Sequence, residues 1–468
     1  MGAAQPTRPS GFSDPHKPAW EDYARCVHCG LCLNHCPTYR LWGLEADSPR
    51  GRIRQMLLVD QGQLELGADF VKHIDQCLDC RGCETACPSG AEYGKLVEAA
   101  RWEIEKHYRR PLSTRLLRSL VFRHLLPHPW RISLAARVVR LYQRSGLDRL
   151  ARSSGLLRAM GLDQQERLLP RIDERFFFSQ LGRTLPAHGR RRARVGFFGG
   201  CLAQVTFTAL NEATIRVLAA NGCEVAVPAG QVCCGALCAH AGVRDVARSL
   251  ARRNVDAFLR ENFDAIITNA AGCGSTLKEY AHLLPQGAAQ GQGKEQHRGH
   301  RDAEVTEKAR QFSGKVRDVT EFLAELGLVA PMRETKLRAT YQDSCHLVHG
   351  QRVREAPRKL IRAVPGVELV EMQRADDCCG SAGVYNVTQT AASMGILEEK
   401  MRHVRATNAG AIITANPGCM LQLRAGVAMH GAAADSPGVA GGSPGTARSG
   451  CATEVLHVVE LIDRALAR

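Results

Sequence analysis

Two stretches of this chain share one spacing: Cys26-x2-Cys29-x2-Cys32-x3-Cys36-Pro37 and Cys77-x2-Cys80-x2-Cys83-x3-Cys87-Pro88. Four cysteines so spaced, closed by proline, let a short loop wrap a cubane 4Fe–4S cluster. In two-cluster ferredoxins three sulfurs of a run hold one cube and the fourth reaches the other. Two runs, each ending in Cys-Pro, argue against chance and against structural zinc. The ligand exchange predicts Cys26, Cys29, Cys32 and Cys87 around one cube, and Cys77, Cys80, Cys83 and Cys36 around the other. The implied chemistry is one-electron transfer.

The 468 residues leave room for two to four domains, each with its own core. Nineteen cysteines would suggest a disulfide scaffold in a short secreted chain, but the polar start of the sequence lacks the apolar segment of a signal peptide. No window is apolar for the ~18 residues a spanning helix needs. Metal-bound thiolates favour a reducing compartment, so the expectation is a cytoplasmic protein, peripheral on the cytoplasmic face of the inner membrane. Its charge points the same way. Between Arg101 and Arg194 stand 22 Lys/Arg against 7 Asp/Glu, which is the whole formal excess of +15. That implies a local anionic partner, an acidic subunit or a membrane surface. No nucleic-acid-binding motif accompanies the charge.

The predicted fold class is multidomain α plus α/β. Residues 20–108 read as an α-helical two-cluster ferredoxin-like domain, with helical spacing in Ile53–Val59 and Phe70–Ile74. Pro37 and Pro88 suit a helix's first turn. Residues 109–194 read as a basic helical linker region. Leu112–Leu126 and Trp130–Leu147 repeat apolar residues at three- and four-residue steps with arginines between, the pattern of amphipathic helices with a cationic face. Gly189–Arg194 reads as linker. Residues 195–330 and 336–468 read as tandem Cys-Cys-Gly domains.

Those two domains are an internal repeat. Cys201 recurs as Cys345, Cys233-Cys234-Gly235 as Cys378-Cys379-Gly380, and Gly272-Cys273 as Gly418-Cys419, at offsets of 144, 145 and 146 residues. Each copy predicts strands alternating with helices, hence a parallel α/β layer. The lone cysteine, the pair and the Gly-Cys each follow a strand, so four thiols converge on one sheet edge: Cys201, Cys233, Cys234 and Cys273, and again Cys345, Cys378, Cys379 and Cys419. A pair serving one metal must sit on a turn, and the glycine after it permits a backbone or an approach that a Cβ would obstruct. Four sulfurs suit zinc as well as a cluster, and buried cysteines acting as small hydrophobes are the plain alternative. Cys223, Cys238 and Cys451 have no counterpart in the other copy and read as structural. Gly/Ala-rich inserts near Gln286–Ala303 and Gly431–Gly450 read as flexible surface loops. His28, His35 and His346 adjoin cysteines and read as surface or packing residues, with tuning of a cluster the alternative.

Several strings are more discriminating: Cys26-Val-His-Cys-Gly-Leu-Cys, Cys36-Pro-Thr-Tyr, Ser48-Pro-Arg-Gly-Arg-Ile, Cys83-Glu-Thr-Ala-Cys-Pro-Ser-Gly, Cys378-Cys-Gly-Ser-Ala-Gly-Val-Tyr and Ile412-Ile-Thr-Ala-Asn-Pro-Gly-Cys. In these the chain resembles the iron–sulfur subunit of bacterial glycolate dehydrogenase, also called glycolate oxidase, over nearly its whole length. The resemblance implies an electron-transfer subunit beside flavin-containing subunits that oxidise glycolate to glyoxylate, passing electrons towards the membrane quinone pool. No Gly-x-Gly-x-x-Gly after a strand and no Walker-type sequence suggests a nucleotide cofactor on this chain, and no catalytic residue is assigned. Related subunits of anaerobic glycerol-3-phosphate or lactate dehydrogenases are the first alternative. A heterodisulfide-reductase-like thiol/disulfide enzyme and a metal-stabilised scaffold are others. The heterodisulfide reductase pattern ends in Cys-x-x-Cys; here Ala270 and Asn416 stand at the first position of that pair, so its five-sulfur ligand set does not carry over.

Overall fold

The computed structural model describes residues 11–13, 17–160, 166, 169–284, 294–434 and 453–467. Among the described residues before Thr184 there is no strand, as the helical spacing predicts. Pro37 opens the Pro37–Trp42 helix, at a position whose N–H would be unpaired in any case. Pro88 instead lies in a turn ahead of the Tyr93–His107 helix. The Pro49–Asp60 helix starts at Ser48, whose hydroxyl accepts the Gly51 N–H at 2.9 Å. This helix, Ala68–Asp75 and Tyr93–His107 bury Ile53, Met56, Phe70, Ile74, Leu96 and Val97 in one small core.

The basic section is helical but faces water in an unexpected way. Its segments are Leu112–Arg118 running into Ser119–Leu125, then Pro129–Arg144, then Leu147–Ser153. Inward packing is thin, carried by Phe122, Leu126, Ile132 and Ala136. Leu112, Leu116 and Leu120 point outward on the first helix, and Trp130, Leu134, Val138 and Leu141 on the next, each more than half exposed. Steps of about four put each set on one face. The exposed side is thus apolar with arginines beside it, so the apolar stripe of these amphipathic helices faces outward rather than packing on the protein.

The two copies form parallel layers. Copy 1 uses β1 (Thr184–Leu185), β2 (Ala193–Phe198), β3 (Cys223–Ala226), β4 (Ala265–Thr268) and β5 (Val316–Asp318), in the order β1-β3-β2-β4-β5. Only β1 runs antiparallel, and it comes from the section read as linker. Copy 2 uses β6 (Leu337–Gln342), β7 (Val367–Val370), β8 (Ala411–Thr414) and β9 (Glu454–His457), in the order β7-β6-β8-β9. In both, the chain steps to one side of the first long strand and then crosses to the other, which creates a switch point at the strands' carboxyl ends. The first helix of each copy, Thr208–Ala220 and Glu355–Arg362, packs on the last helix of the other, Val458–Ala465 and Val319–Leu326. One continuous core runs through both copies. The last helices open with matching capping boxes, Asp318 with Glu321 and His457 with Glu460.

Part of the insert read as a flexible loop is helical: the Lys294–Lys315 helix takes in its second half. The helix is amphipathic enough at its far end to bury Ala309 and Phe312 against copy 1, which fixes its course. Residues 285–293 and 435–452, including Cys451, lie outside the described residues.

The ferredoxin-type unit sits on both copies. Arg40 pairs with Asp377 at 2.6 Å and with Glu399, and His349 meets the Thr85 hydroxyl at 2.9 Å, joining it to copy 2. Arg81 pairs with Glu279, and Arg244 and Arg248 lie over the Trp102 ring at 4.4 and 5.3 Å, joining it to copy 1.

Candidate metal centres

Cys36, Cys77, Cys80 and Cys83 line one small cavity. Three come from one loop and Cys36 crosses from the other. Cys36, Cys77 and Cys83 are buried, and the first two sulfurs are hydrogen-bonded. The Tyr93 hydroxyl and the Asp79 N–H each donate to the Cys77 sulfur at 3.3 Å, and the Cys36 thiol lies 3.3 Å from the Thr38 hydroxyl oxygen. Donors such as those on Cys77 stabilise thiolate and raise the potential of whatever the sulfur holds.

The Ser48-Pro-Arg-Gly-Arg-Ile string supports this cavity from behind. Arg52, 1% exposed, donates to Thr38 Oγ1 at 3.0 Å, Asp47 Oδ1 at 3.2 Å and the His73 carbonyl at 2.7 Å. Thr38 in turn donates to the Asp47 carbonyl at 2.8 Å. Gly51 lets the helix approach the preceding turn, because a Cβ there would lie 1.9 Å from the Glu45 carbonyl oxygen.

The other ferredoxin set lies nearer the surface. Cys29 is exposed, and Cys26, Cys32 and Cys87 are half-buried. Cys87 lies close enough to Cys26, and Cys26 to Cys32, for their charges to interact. The Ala91 N–H reaches the Cys87 sulfur at 3.4 Å. Burial, with the neighbouring thiols adding, pushes the Cys32 thiol up to about 11 and raises Cys26. Thiols crowded in this way keep their protons unless a metal cation displaces them, so the donor set suits a metal centre.

Each Cys-Cys-Gly copy brings its four thiols together. In copy 1, Cys201 contacts Cys233, which contacts Cys234, whose sulfur lies 3.3 Å from Cys273. In copy 2, Cys345 contacts Cys378, which contacts Cys379, whose sulfur lies 3.3 Å from Cys419. The glycines after the pairs have φ of +84° and +90°. A Cβ on Gly380 would also stand 2.6 Å from the Ser393 carbonyl oxygen. Backbone N–H groups point back at the pairs, from Gly235 to Cys233 at 3.5 Å and from Gly380 to Cys378 at 3.4 Å. Asn416, which occupies the place of the missing fifth cysteine, donates its side-chain N–H to Cys419 at 3.4 Å. Cys223 is buried in β3, apart from the four; Cys238 is buried beside Cys233 and Phe122.

Sequence reasoning missed two features. Cys80 also reaches copy 2, where its thiol contacts Cys378. Cys345, then Cys379 and Cys80, donate to the Cys378 sulfur and hold it well below the ordinary thiol range. The second feature is a buried polar knot where the three units meet. His240 lies 2.9 Å from Asp79 and 3.3 Å from Glu98, with Arg81 and Arg101 at 3.9 and 3.6 Å from the same Asp79. Asp79, Glu98 and His240 are spaced closely enough to hold a cation, but the two arginines already supply the positive charge. His346, beside Cys345, meets the Asp79 carbonyl at 3.0 Å and stacks edge-on against His240 at 5.3 Å. It is a packing residue of the junction. His28 and His35 are exposed, and His35 lines the rim of the cavity.

Comparison with known proteins agrees with this layout. The family described as a 4Fe-4S dicluster domain matches residues 22–91, and a cysteine-rich domain matches 195–278 and 339–424. Residues 113–169 match the linker region of the glycolate oxidase iron–sulfur subunit. The chain is 41% identical to the probable glycolate oxidase iron–sulfur subunit of Bacillus subtilis, over 87% of this chain and 89% of the relative. It is 32% identical to the glycolate oxidase iron–sulfur subunit of Escherichia coli, over 85% and 89%. A lactate utilization protein A from a Geobacillus species is 30% identical over 49% of this chain. The dicluster match identifies iron–sulfur clusters as the cofactor.

Proposed function

Because the chain belongs to the family of glycolate oxidase iron–sulfur subunits, we propose that it relays electrons from flavin-containing partner subunits, where glycolate becomes glyoxylate, towards the membrane quinone pool. It is the electron-transfer component of an oxidoreductase complex. Cys26, Cys29, Cys32 and Cys87 would hold one cube, and Cys77, Cys80, Cys83 and Cys36 the other. Bound cubes supply one-electron oxidation and reduction at potentials set by ligation and hydrogen bonding. The observation that carries the reading is the cavity lined by Cys36 and the second loop's Cys77, Cys80 and Cys83, the crossed ligand set of a two-cluster ferredoxin.

The chain's own residues shape the path. Tyr93 and the Asp79 backbone hold the Cys77 sulfur, and Arg52 braces Thr38 and Asp47 beside Cys36. The outer set opens to a surface patch where Val27 is 65% and Leu31 58% exposed on either side of Cys29. A partner that delivers electrons must bring its own centre close, and an apolar rim around an exposed ligand suits such a contact. The outward leucines of the basic section suit a second contact, with the membrane. From residue 111 to 147 there are seven arginines and no acidic residue, which matches a helix lying in an anionic interface. Among the described residues no helix is long and apolar enough to cross a membrane.

The test is glycolate-dependent reduction of the iron–sulfur absorbance in anaerobic protein. Bleaching by glycolate is expected only when the flavin-containing subunits are present. Bleaching by lactate or glycerol 3-phosphate in their place would move the assignment to another dehydrogenase. Reduction of a heterodisulfide by the isolated, pre-reduced chain would make it an enzyme in its own right.

A further inference from the structure

The two Cys-Cys-Gly copies are built alike but connected differently. In copy 1 the thiol contacts are within the copy. The ferredoxin-type unit reaches that copy through Asp79 with His240, Arg81 with Glu279, and Trp102 beneath Arg244 and Arg248, none of them a thiol. In copy 2, Cys80 packs in one cluster with Cys345 and Cys378, closed off by buried Leu78, Tyr385 and Ile396. The same Cys80 lines the cavity of Cys36, Cys77 and Cys83. One side chain, that of Cys80, therefore faces two thiol sets.

We propose that the copy-2 thiols Cys345, Cys378, Cys379 and Cys419 hold a third iron–sulfur centre, coupled to the inner ferredoxin centre through Cys80 and Cys378, while the copy-1 set is a separate site outside this path. The inference rests on the relay reading for the ferredoxin pair and extends it. Tunnelling falls steeply with distance, and two cysteine sulfurs in contact leave the least possible gap between the groups they ligate. The step is a bare electron transfer. The inner centre loses one electron, the copy-2 centre gains it, and no bond forms or breaks. The electrons are those removed from glycolate by the complex.

The experiment poises the anaerobic full-length chain at successively lower potentials and follows electron paramagnetic resonance and metal content. The wild type should show three paramagnetic centres, with the inner cubane's line broadened as the third is reduced. Cys378→Ser should lose the third centre and that broadening, and keep the signal of the Cys26/Cys29/Cys32/Cys87 set. Cys233→Ser should leave the inner line unchanged. Zinc in copy 2, two cubane signals indifferent to Cys378→Ser, or equal effects of Cys378→Ser and Cys233→Ser would overturn the inference. Should Cys378→Ser fail to fold, the wild-type titration decides, because an inner line that never broadens is equally fatal. A chain with no cubane signal would instead remove the relay reading itself.

Discussion

His240 fastens copy 1 to the loop that carries Cys77 and Cys80, and its charge makes that fastening depend on pH. Burial pulls its pKa down, but the bonds to Asp79 and Glu98 outweigh burial and bring it from 6.5 up to about 9. Arg81, Arg101, Glu279 and His346 complete the groups facing it. The folded state therefore holds a proton between pH 6.5 and about 9 that the unfolded chain releases. Its contribution is full below pH 6.5 and is lost as pH rises through 9. The shift corresponds to about 3 kcal/mol, with a slope approaching ~1.4 kcal/mol per pH unit. Asp79 is held low by the same bond, so it adds nothing further on the alkaline side. His240→Gln keeps hydrogen-bonding capacity without the charge. Urea denaturation of anaerobic holoprotein should show the variant less stable than the wild type by about 3 kcal/mol near pH 6, with the gap closing towards about pH 9.5. A gap of constant size across that range would refute a charged His240.

Three further outcomes follow from particular contacts. Gly51→Ala should unseat the turn before Ser48 and lower iron retention at the inner set, read as iron per chain, because the new Cβ meets the Glu45 carbonyl at 1.9 Å. Cys29→Ser and Cys80→Ser should each remove a cluster signal from the resonance spectrum, and Cys223→Ser, whose side chain is buried in β3 away from the thiol sets, should remove none. Leu134→Glu with Leu141→Glu should weaken cosedimentation with phosphatidylglycerol vesicles at least ~10-fold, since each buried leucine contributes about 1.5–3 kcal/mol. Unchanged binding would exclude this face from the interface.

The sequence made the layers legible where periodicity and repetition reinforce each other. Ala265–Thr268 and Ala411–Thr414 are strands of the expected alternation, because apolar runs bounded by turns and present twice leave little choice. The four-thiol convergence followed from cysteines placed after successive parallel strands. The short β5 and β9 escaped notice, since three or four residues after an insert carry no period. The Ser48-Pro-Arg-Gly-Arg-Ile string was recognisable as a mark of kinship, but its role needed the Arg52 and Gly51 contacts. The meeting of Cys80 with Cys378 had no local signal at all. It depends on how whole domains dock, through pairs such as Arg40 with Asp377 that look like ordinary surface charge in one dimension.

The central claim is that the amino-terminal cysteines cage inorganic iron and make the chain a conductor of electrons. Iron and acid-labile sulfide analysis with electron paramagnetic resonance on anaerobically purified, reduced protein tests it most directly. Two cubes require at least about eight irons per chain and spectra of interacting clusters. Colourless protein, or zinc in the loops of Cys26–Cys36 and Cys77–Cys87, would contradict it.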